Sequence, residues 1–312
     1  MPIRLVLAAL ALWLLGACAA PQTARLLESN ASALPRFAQV GGVPFYAQTD
    51  NYCGPAALAM AATWAGVPLT QERAGEMVFT PGKEGTLRND VVAAARRLGL
   101  MAVELDDVSS LLAEVAAGHP VIVFQNLGLS WVPRWHYSVV LAYDLDHQTI
   151  VQHSGITPDR ATDLNAFERT WARGDYWAVV LVPAGELPAA GRETALLEAA
   201  LGLERLHNYN PATKGYKSIL KKFPSNTPAW MGLGNSEYAR ADFVAAAEAF
   251  ERAATVAPGD PAAWNNLAYA YAAAGRNRDA RRAAERAVAA ATPATVGAYQ
   301  DTLREMAALP ID

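Results

Sequence analysis

QTDNYCGPAAL, residues 48–58, sets one cysteine between a polar turn and an alanine-rich apolar run. Asp, Asn and Thr side chains favour a turn just before Cys53, and the apolar run predicts a helix over 53–65. The partial positive charge of a helix N-terminus favours thiolate over thiol. A cysteine in that position is suited to attack a carbonyl carbon.

The composition is that of a chain with two ordinary globular domains. It has 312 residues, 52% of them apolar, and a formal net charge of -4, which is enough for two separate cores. No basic run is longer than two residues, so nucleic-acid binding has no electrostatic support. The sequence has no His-Glu-x-x-His spacing and no glycine-rich phosphate loop after a strand. It therefore predicts neither a metal site nor a cofactor.

The first 18 residues, MPIRLVLAALALWLLGAC, have the pattern of a secretory signal with an apolar core too short for a stable membrane span. Their ending, LGAC, resembles the lipobox of bacterial lipoproteins. That resemblance implies a signal peptide over 1–17 and a lipid-modified Cys18. Because residue 19 is Ala rather than Asp, it also implies a lipid anchor in the outer membrane, facing the periplasm. An ordinary signal peptide with a chance cysteine is the alternative.

The chain has two cysteines, and lipid on Cys18 would leave Cys53 without a disulfide partner. A free thiol in an oxidising compartment is a liability unless it is buried or used. A buried structural cysteine is common, so the surrounding sequence must decide between the two roles.

Residues 39–184 mix predicted helices and strands. Helices are expected at 53–65, 70–78, 86–98, 112–117 and 164–173, and strands at 101–105, 120–125, 136–143, 149–153 and 176–182. Helices followed by an antiparallel sheet predict an α+β domain. Residues 18–38, rich in small and polar side chains, are expected to be a tether.

Residues 192–309 contain a repeat with a period of 34 residues. Trp230 and Trp264 have this separation, and so do Pro224 and Pro258. The pattern around each Trp resembles the tetratricopeptide repeat, in which each unit is a helix pair that buries its face against its neighbours. The resemblance implies an all-α domain that binds a protein partner, with a degenerate first unit over 196–223 and a capping helix over 295–309. An unrelated alanine-rich bundle is the alternative.

A cysteine nucleophile needs a base within hydrogen-bond reach, usually a histidine. His136 opens a predicted strand directly after WVPRW, residues 131–135, and is the best placed of the five histidines. His119 and His147 lie in predicted turns, and His207 belongs to the helical repeats.

Gln48-x4-Cys53-Gly-Pro-Ala, followed roughly eighty residues later by His136-Tyr-x-Val-Val, resembles the papain-like bacteriocin-processing peptidases that cut after a double-glycine leader. The resemblance covers roughly 37–183 and implies a papain-like cysteine peptidase domain. In it, Cys53 would attack the peptide carbonyl, His136 would move the proton, and Gln48 would help to form the oxyanion hole.

The third residue of that family is an Asp followed by Pro on the strand after the hairpin, and here the chain has Gln152-His153-Ser154. Sequence does not fix the register of the hairpin. His153 is the nearest match, and Gln152 and Ser154 are its rivals. A neutral group can select the tautomer of His136, but it stabilises an imidazolium less than a carboxylate does.

The first functional hypothesis is a lipid-anchored periplasmic cysteine peptidase whose repeats recruit its peptide or protein substrate or another protein. The alternative is a catalytically weak or silent scaffold that binds peptides or assembles partners, because the expected carboxylate is missing. The same Cys–His chemistry can also pass an acyl group to an amine, as in an acyltransferase.

Overall fold

The computed structural model describes residues 20–28, 34–48 and 51–310. The predicted signal peptide and Cys18 lie outside the described residues. Two compact units are present: the first ends at Pro183 and also includes Pro188–Gly191, and the second comprises Ala184–Leu187 and the residues from Arg192 onward. The first unit is α+β and the second consists of consecutive helices, which confirms the predicted fold class.

Helices and strands of the first unit occur where the apolar patterns predict most of them. The helices are α1 (Pro21–Glu28), α2 (Cys53–Trp64), α3 (Gln71–Val78), α4 (Arg88–Arg97), α5 (Val108–Ala116) and α6 (Leu164–Ala172). The strands are β1 (Phe37–Gln39), β2 (Phe79–Thr80), β3 (Gly85–Thr86), β4 (Leu100–Leu105), β5 (Val121–Asn126), β6 (Trp135–Asp144), β7 (Thr149–Ser154), β8 (Thr157–Asp163) and β9 (Ala178–Pro183).

The main sheet is antiparallel and, among the described residues, has seven strands. Six follow the order β4-β9-β5-β6-β7-β8, and the seventh, β1, pairs with the C-terminal end of β6. β2 and β3 form a separate ribbon. One face of the main sheet packs on α2, whose residues 54–62 are all buried. A helix that is apolar all round is stable only in an interior, so α2 becomes the central helix.

The described part of residues 18–38 folds onto the first unit, unlike the tether expected there. The buried carboxylate of Glu168 accepts the backbone N–H groups of Gln22 at 3.0 Å and Thr23 at 2.7 Å. The Gln22 side chain in turn accepts the N–H of Val108 at 2.7 Å. Free amides and positive charge at a helix N-terminus stabilise a carboxylate, so α1 docks on Glu168. The sequence around 18–38 gave no sign of this distant partner.

The second unit contains α7 (Glu193–Arg205), α8 (Tyr209–Lys222), α9 (Thr227–Ala239), α10 (Phe243–Val256), α11 (Pro261–Ala273), α12 (Asn277–Ala290) and α13 (Val296–Ala307). Its sequence period becomes a repeated contact: the indole N–H of Trp230 donates to the Pro224 carbonyl, and that of Trp264 to the Pro258 carbonyl, each at 2.9 Å. The unit is therefore a stack of helix pairs, as the 34-residue period predicts.

Candidate active site

α2 begins at Cys53, as the sequence predicts. Asn51 has a left-handed backbone with φ 64°, which turns the chain into the helix. Pro55 lies in the first turn, where its missing N–H breaks no helical hydrogen bond. The thiol is thus fixed at a helix start while staying partly exposed.

The Cys53 thiol faces strand β6. It accepts a hydrogen bond from the backbone N–H of Tyr137, the residue that follows His136. Burial raises the pKa of Cys53, and the N–H groups of Tyr137, Gly54 and Cys53 itself offset this effect only in part. The sequence predicts a thiolate from the helix N-terminus alone. The pKa moves the other way because desolvation of a buried thiolate outweighs the nearby amides.

His136 is held by a neutral partner. Its Nε2 lies 2.9 Å from the hydroxyl oxygen of Ser154. Burial lowers the pKa of His136 to about 4, and repulsion from Arg160 and then Arg134 adds to this. A serine hydroxyl can either donate to or accept from an imidazole nitrogen, so it orients the ring but stabilises its charged form less than a carboxylate would. The ring is therefore neutral near pH 7 and able to accept a proton.

The structure brings Ser154, rather than His153, to the ring of His136. The Nε2 of His153 is 3.5 Å from the carbonyl of Val43, and its Nδ1 accepts the N–H of Asp159 at 3.2 Å. Successive side chains of a strand point to opposite faces, so adjacent residues of β7 cannot both reach His136. The base is thus oriented by Ser154, one of the two alternatives, and the expectation of His153 is wrong.

Gln48 presents an unused hydrogen-bond donor. Its backbone N–H donates to the carbonyl of Gly155 at 3.0 Å, and its Oε1 accepts the N–H of Gly155 at 3.2 Å. An N–H can pair only with the oxygen of the side-chain amide, so this contact fixes which way the amide points. The Nε2 is buried and has no partner among the described residues. An unsatisfied buried donor costs about 1–3 kcal/mol, a cost that a ligand oxygen can remove.

The end of β7 links these groups. Ser154 contacts His136, and the next residue, Gly155, holds Gln48 through two hydrogen bonds. Cys53 reaches the same region through the backbone of Tyr137. A thiol, an imidazole and a free amide N–H are the groups that acyl transfer through a tetrahedral intermediate requires. Here they belong to neighbouring segments, because Tyr137 follows His136 on β6 and Gly155 follows Ser154 at the end of β7.

Nothing in the described part of the chain groups three or more His, Cys, Asp or Glu side chains closely enough to hold a metal ion. Among the described helices, none combines the length and apolar character needed to cross a membrane.

Comparison with known families agrees with this architecture. Residues 40–178 match the Peptidase_C39 like family. Residues 197–261 and 231–295 match the tetratricopeptide repeat. The chain thus carries an α+β C39-like peptidase domain followed by an all-helical tetratricopeptide region. No curated protein matches the sequence.

Several solved structures are similar to one unit or the other. A C39-like peptidase from Bacillus anthracis is 20% identical with a TM-score of 0.42, over 47% of this chain and 97% of its own. The peptidase domain of Streptococcus ComA, a bifunctional ABC transporter involved in quorum sensing, is 24% identical with a TM-score of 0.37, over 46% and 99%. The Sgt2 TPR domain from Aspergillus fumigatus is 22% identical with a TM-score of 0.33, over 38% and 86%.

Proposed function

We propose that this protein is a lipid-anchored periplasmic cysteine peptidase in which Cys53 is the nucleophile and His136 the general base. The observation that carries the proposal is the buried, unpartnered Nε2 of Gln48. Gly155 and Ser154, adjacent in the chain, connect Gln48 to the oriented, neutral His136, and the central helix of the same domain starts at Cys53. The C39-like domain supports the same reaction class.

The proton is expected to move during attack rather than before it. Burial raises the pKa of Cys53 above its ordinary value and lowers that of His136 to about 4. Both shifts oppose proton transfer from the thiol to the imidazole in the resting site. A preformed ion pair is therefore disfavoured, and His136 takes the thiol proton as the S–C bond forms.

Each later step also has a residue to perform it. Because Nε2 of His136 is held by Ser154, Nδ1 is the nitrogen that exchanges protons. The oxyanion of the tetrahedral intermediate accepts from Nε2 of Gln48 and from the backbone N–H of Cys53. His136 then protonates the leaving amine, and water activated by the same ring hydrolyses the acyl-enzyme.

In this proposal the lipid anchor determines where the reaction takes place, and the repeats bind a partner. Cys18 precedes the docked helix α1 by three residues, which span at most about 10 Å. Lipid on Cys18 would therefore hold the peptidase domain close to the membrane surface. The tetratricopeptide region would recruit the substrate or a partner protein. Replacing Cys18 by Ser is expected to move the protein from the membrane fraction to the soluble fraction.

The test is peptide cleavage by the purified full chain, with products from a peptide library read by mass spectrometry. Cys53→Ala and His136→Ala are expected to abolish cleavage. His147→Gln is the matched control, because its ring is 80% exposed in the β6–β7 turn, and it should keep full activity. Products bearing an added amine would instead identify an acyltransferase.

One observation favours a second function, a peptide-binding scaffold without turnover. The base is held by Ser154 rather than by a carboxylate, and its pKa is low. Peptides retained by the domain without any product, equally in the wild type and in Cys53→Ala, would support the scaffold and contradict the peptidase.

A further inference from the structure

Two arginines lie near His136. Arg134 immediately precedes strand β6 and is two residues from His136 in the chain. Arg160 pairs with Gln152 across β7 and β8. The Gln152 side chain accepts a hydrogen bond from the hydroxyl of Ser138 at 2.7 Å, and Ser138 lies two residues after His136 on β6. Both arginines therefore flank the proposed base.

Neither guanidinium group has a hydrogen-bond or ion-pair partner within the described residues. Both are exposed, yet both are close enough for their charges to act on His136. Several other arginines of this unit are paired, as Arg36 is with Asp146 at 2.7 Å and Arg88 with Asp175 at 2.8 Å. The carboxylate next to Arg160, Asp159, is directed instead toward His153, 3.8 Å from its Nδ1.

Two unpaired cations beside a desolvated imidazole repel its charged form, so the free enzyme holds this site in an electrostatically unfavourable state. An anion between them would remove the repulsion. Guanidinium groups bind carboxylates through paired N–H donors, and no carboxylate of the described chain occupies this position. The missing charge therefore has to come from outside the domain.

We infer that Arg134 and Arg160 form a subsite for a carboxylate of the substrate, so that the preferred peptide carries an acidic residue beside the scissile bond. This inference rests on the proposed peptidase function. The bound carboxylate would also stabilise the imidazolium that forms on His136 during attack, which the neutral Ser154 does only weakly. The base would thus reach full strength only with substrate in place.

A pair of alkylating reagents tests the subsite without a known substrate. The sulfur of Cys53 displaces iodide from either iodoacetate or iodoacetamide, forming an S–C bond while the thiol proton leaves to base. The two reagents differ chiefly in charge, so their rate ratio reports on the electrostatics around the thiol. Mass spectrometry of the peptide that contains Cys53 keeps Cys18 out of the measurement in the full chain.

Arg134→Gln and Arg160→Gln are each expected to lower the iodoacetate-to-iodoacetamide ratio about two- to threefold, and the double variant at least about fivefold. Raising the salt concentration should lower the wild-type ratio. Arg36→Gln is the matched control, since Arg36 pairs with Asp146 by the β6–β7 turn, at the far end of β6 from His136. The iodoacetamide rate checks that each variant keeps its fold.

An unchanged ratio in the double variant would overturn the subsite. The peptidase proposal survives that result if the wild type cleaves peptides and if His136→Ala lowers the rate of Cys53 alkylation by iodoacetamide. Among peptides that are cleaved, exchanging an acidic residue beside the bond for its amide should lower kcat/KM about tenfold in the wild type. The double variant should not distinguish the two peptides, and equal discrimination by both enzymes would also refute the subsite.

Discussion

The charge state of His136 depends on what stands at residue 154, and Ser154→Asp tests this directly. The Ser154 hydroxyl oxygen lies 2.9 Å from Nε2 of His136. An aspartate there would place a carboxylate against the same nitrogen. The substitution should raise the pKa of His136 from its present value of about 4.

The size of the change follows from the contact and its burial. A hydrogen bond to a charged group contributes about 1.5–3 kcal/mol, which corresponds to one or two pKa units. Residue 154 is only 5% exposed, so desolvation of the new carboxylate takes away part of this gain. We expect the pKa of His136 to rise by about one unit, to near 5. The equilibrium for proton transfer from Cys53 then becomes about 1.4 kcal/mol more favourable, which sets about tenfold as the upper limit of the gain in rate.

The assay is the rate of Cys53 alkylation by iodoacetamide as a function of pH. A neutral imidazole accepts the thiol proton and an imidazolium cannot, so the acid limb of the profile marks the pKa of His136. Ser154→Asp should move that limb upward by about one pH unit and raise the rate near pH 7 by up to about tenfold. Ser154→Asn, similar in shape but uncharged, is the control. Identical profiles for Asp and Asn would refute the role given to Ser154.

Two further substitutions test packing around the site. A Cβ added at Gly54 would lie 2.4 Å from the Thr86 side chain, so Gly54→Ala should lower the free energy of unfolding by about 1–3 kcal/mol. Urea titrations measure this change. Gly41→Ala is the control, because a Cβ there meets nothing within 4 Å, and it should leave the free energy of unfolding unchanged. Glu168→Gln should weaken the docking of α1 on the first unit by about 1–3 kcal/mol. Amide hydrogen exchange over 21–28 should then be faster than in the wild type, while exchange in the core stays the same. Equal exchange over 21–28 in both proteins would contradict the docking.

Segments with a strong apolar pattern were predicted well. Elements formed by polar segments were missed. α2 begins at the predicted residue because a polar turn meets an apolar run at Cys53. Strand β8, Thr157–Asp163, was missed because it lies at the edge of the sheet with six of its seven residues exposed, so no alternation marks it. The docking of α1 was missed because its partner, Glu168, lies some 145 residues away in sequence.

The register of the β6–β7 hairpin determines which residue of β7 contacts His136. Both ladders of β7 contain a register shift, one opposite Val140–Ala142 of β6 and the other between Gln152 and Ser154. An irregularity of this kind changes which side chain stands beside a given partner. Sequence therefore left His153, Gln152 and Ser154 as candidates, and the folded hairpin presents Ser154 to His136.

The neutral resting site also bears on how an unpaired cysteine could persist in the proposed periplasmic location. Oxidation and disulfide exchange proceed through the thiolate, and burial keeps Cys53 in the thiol form by raising its pKa. A charged orienting residue would make the imidazolium easier to form and so draw the proton from the thiol even without substrate. With Ser154 in that place, the two flanking arginines oppose the charge until an anion arrives. The features that weaken the base at rest are then the same ones that make attack depend on the charge of the substrate.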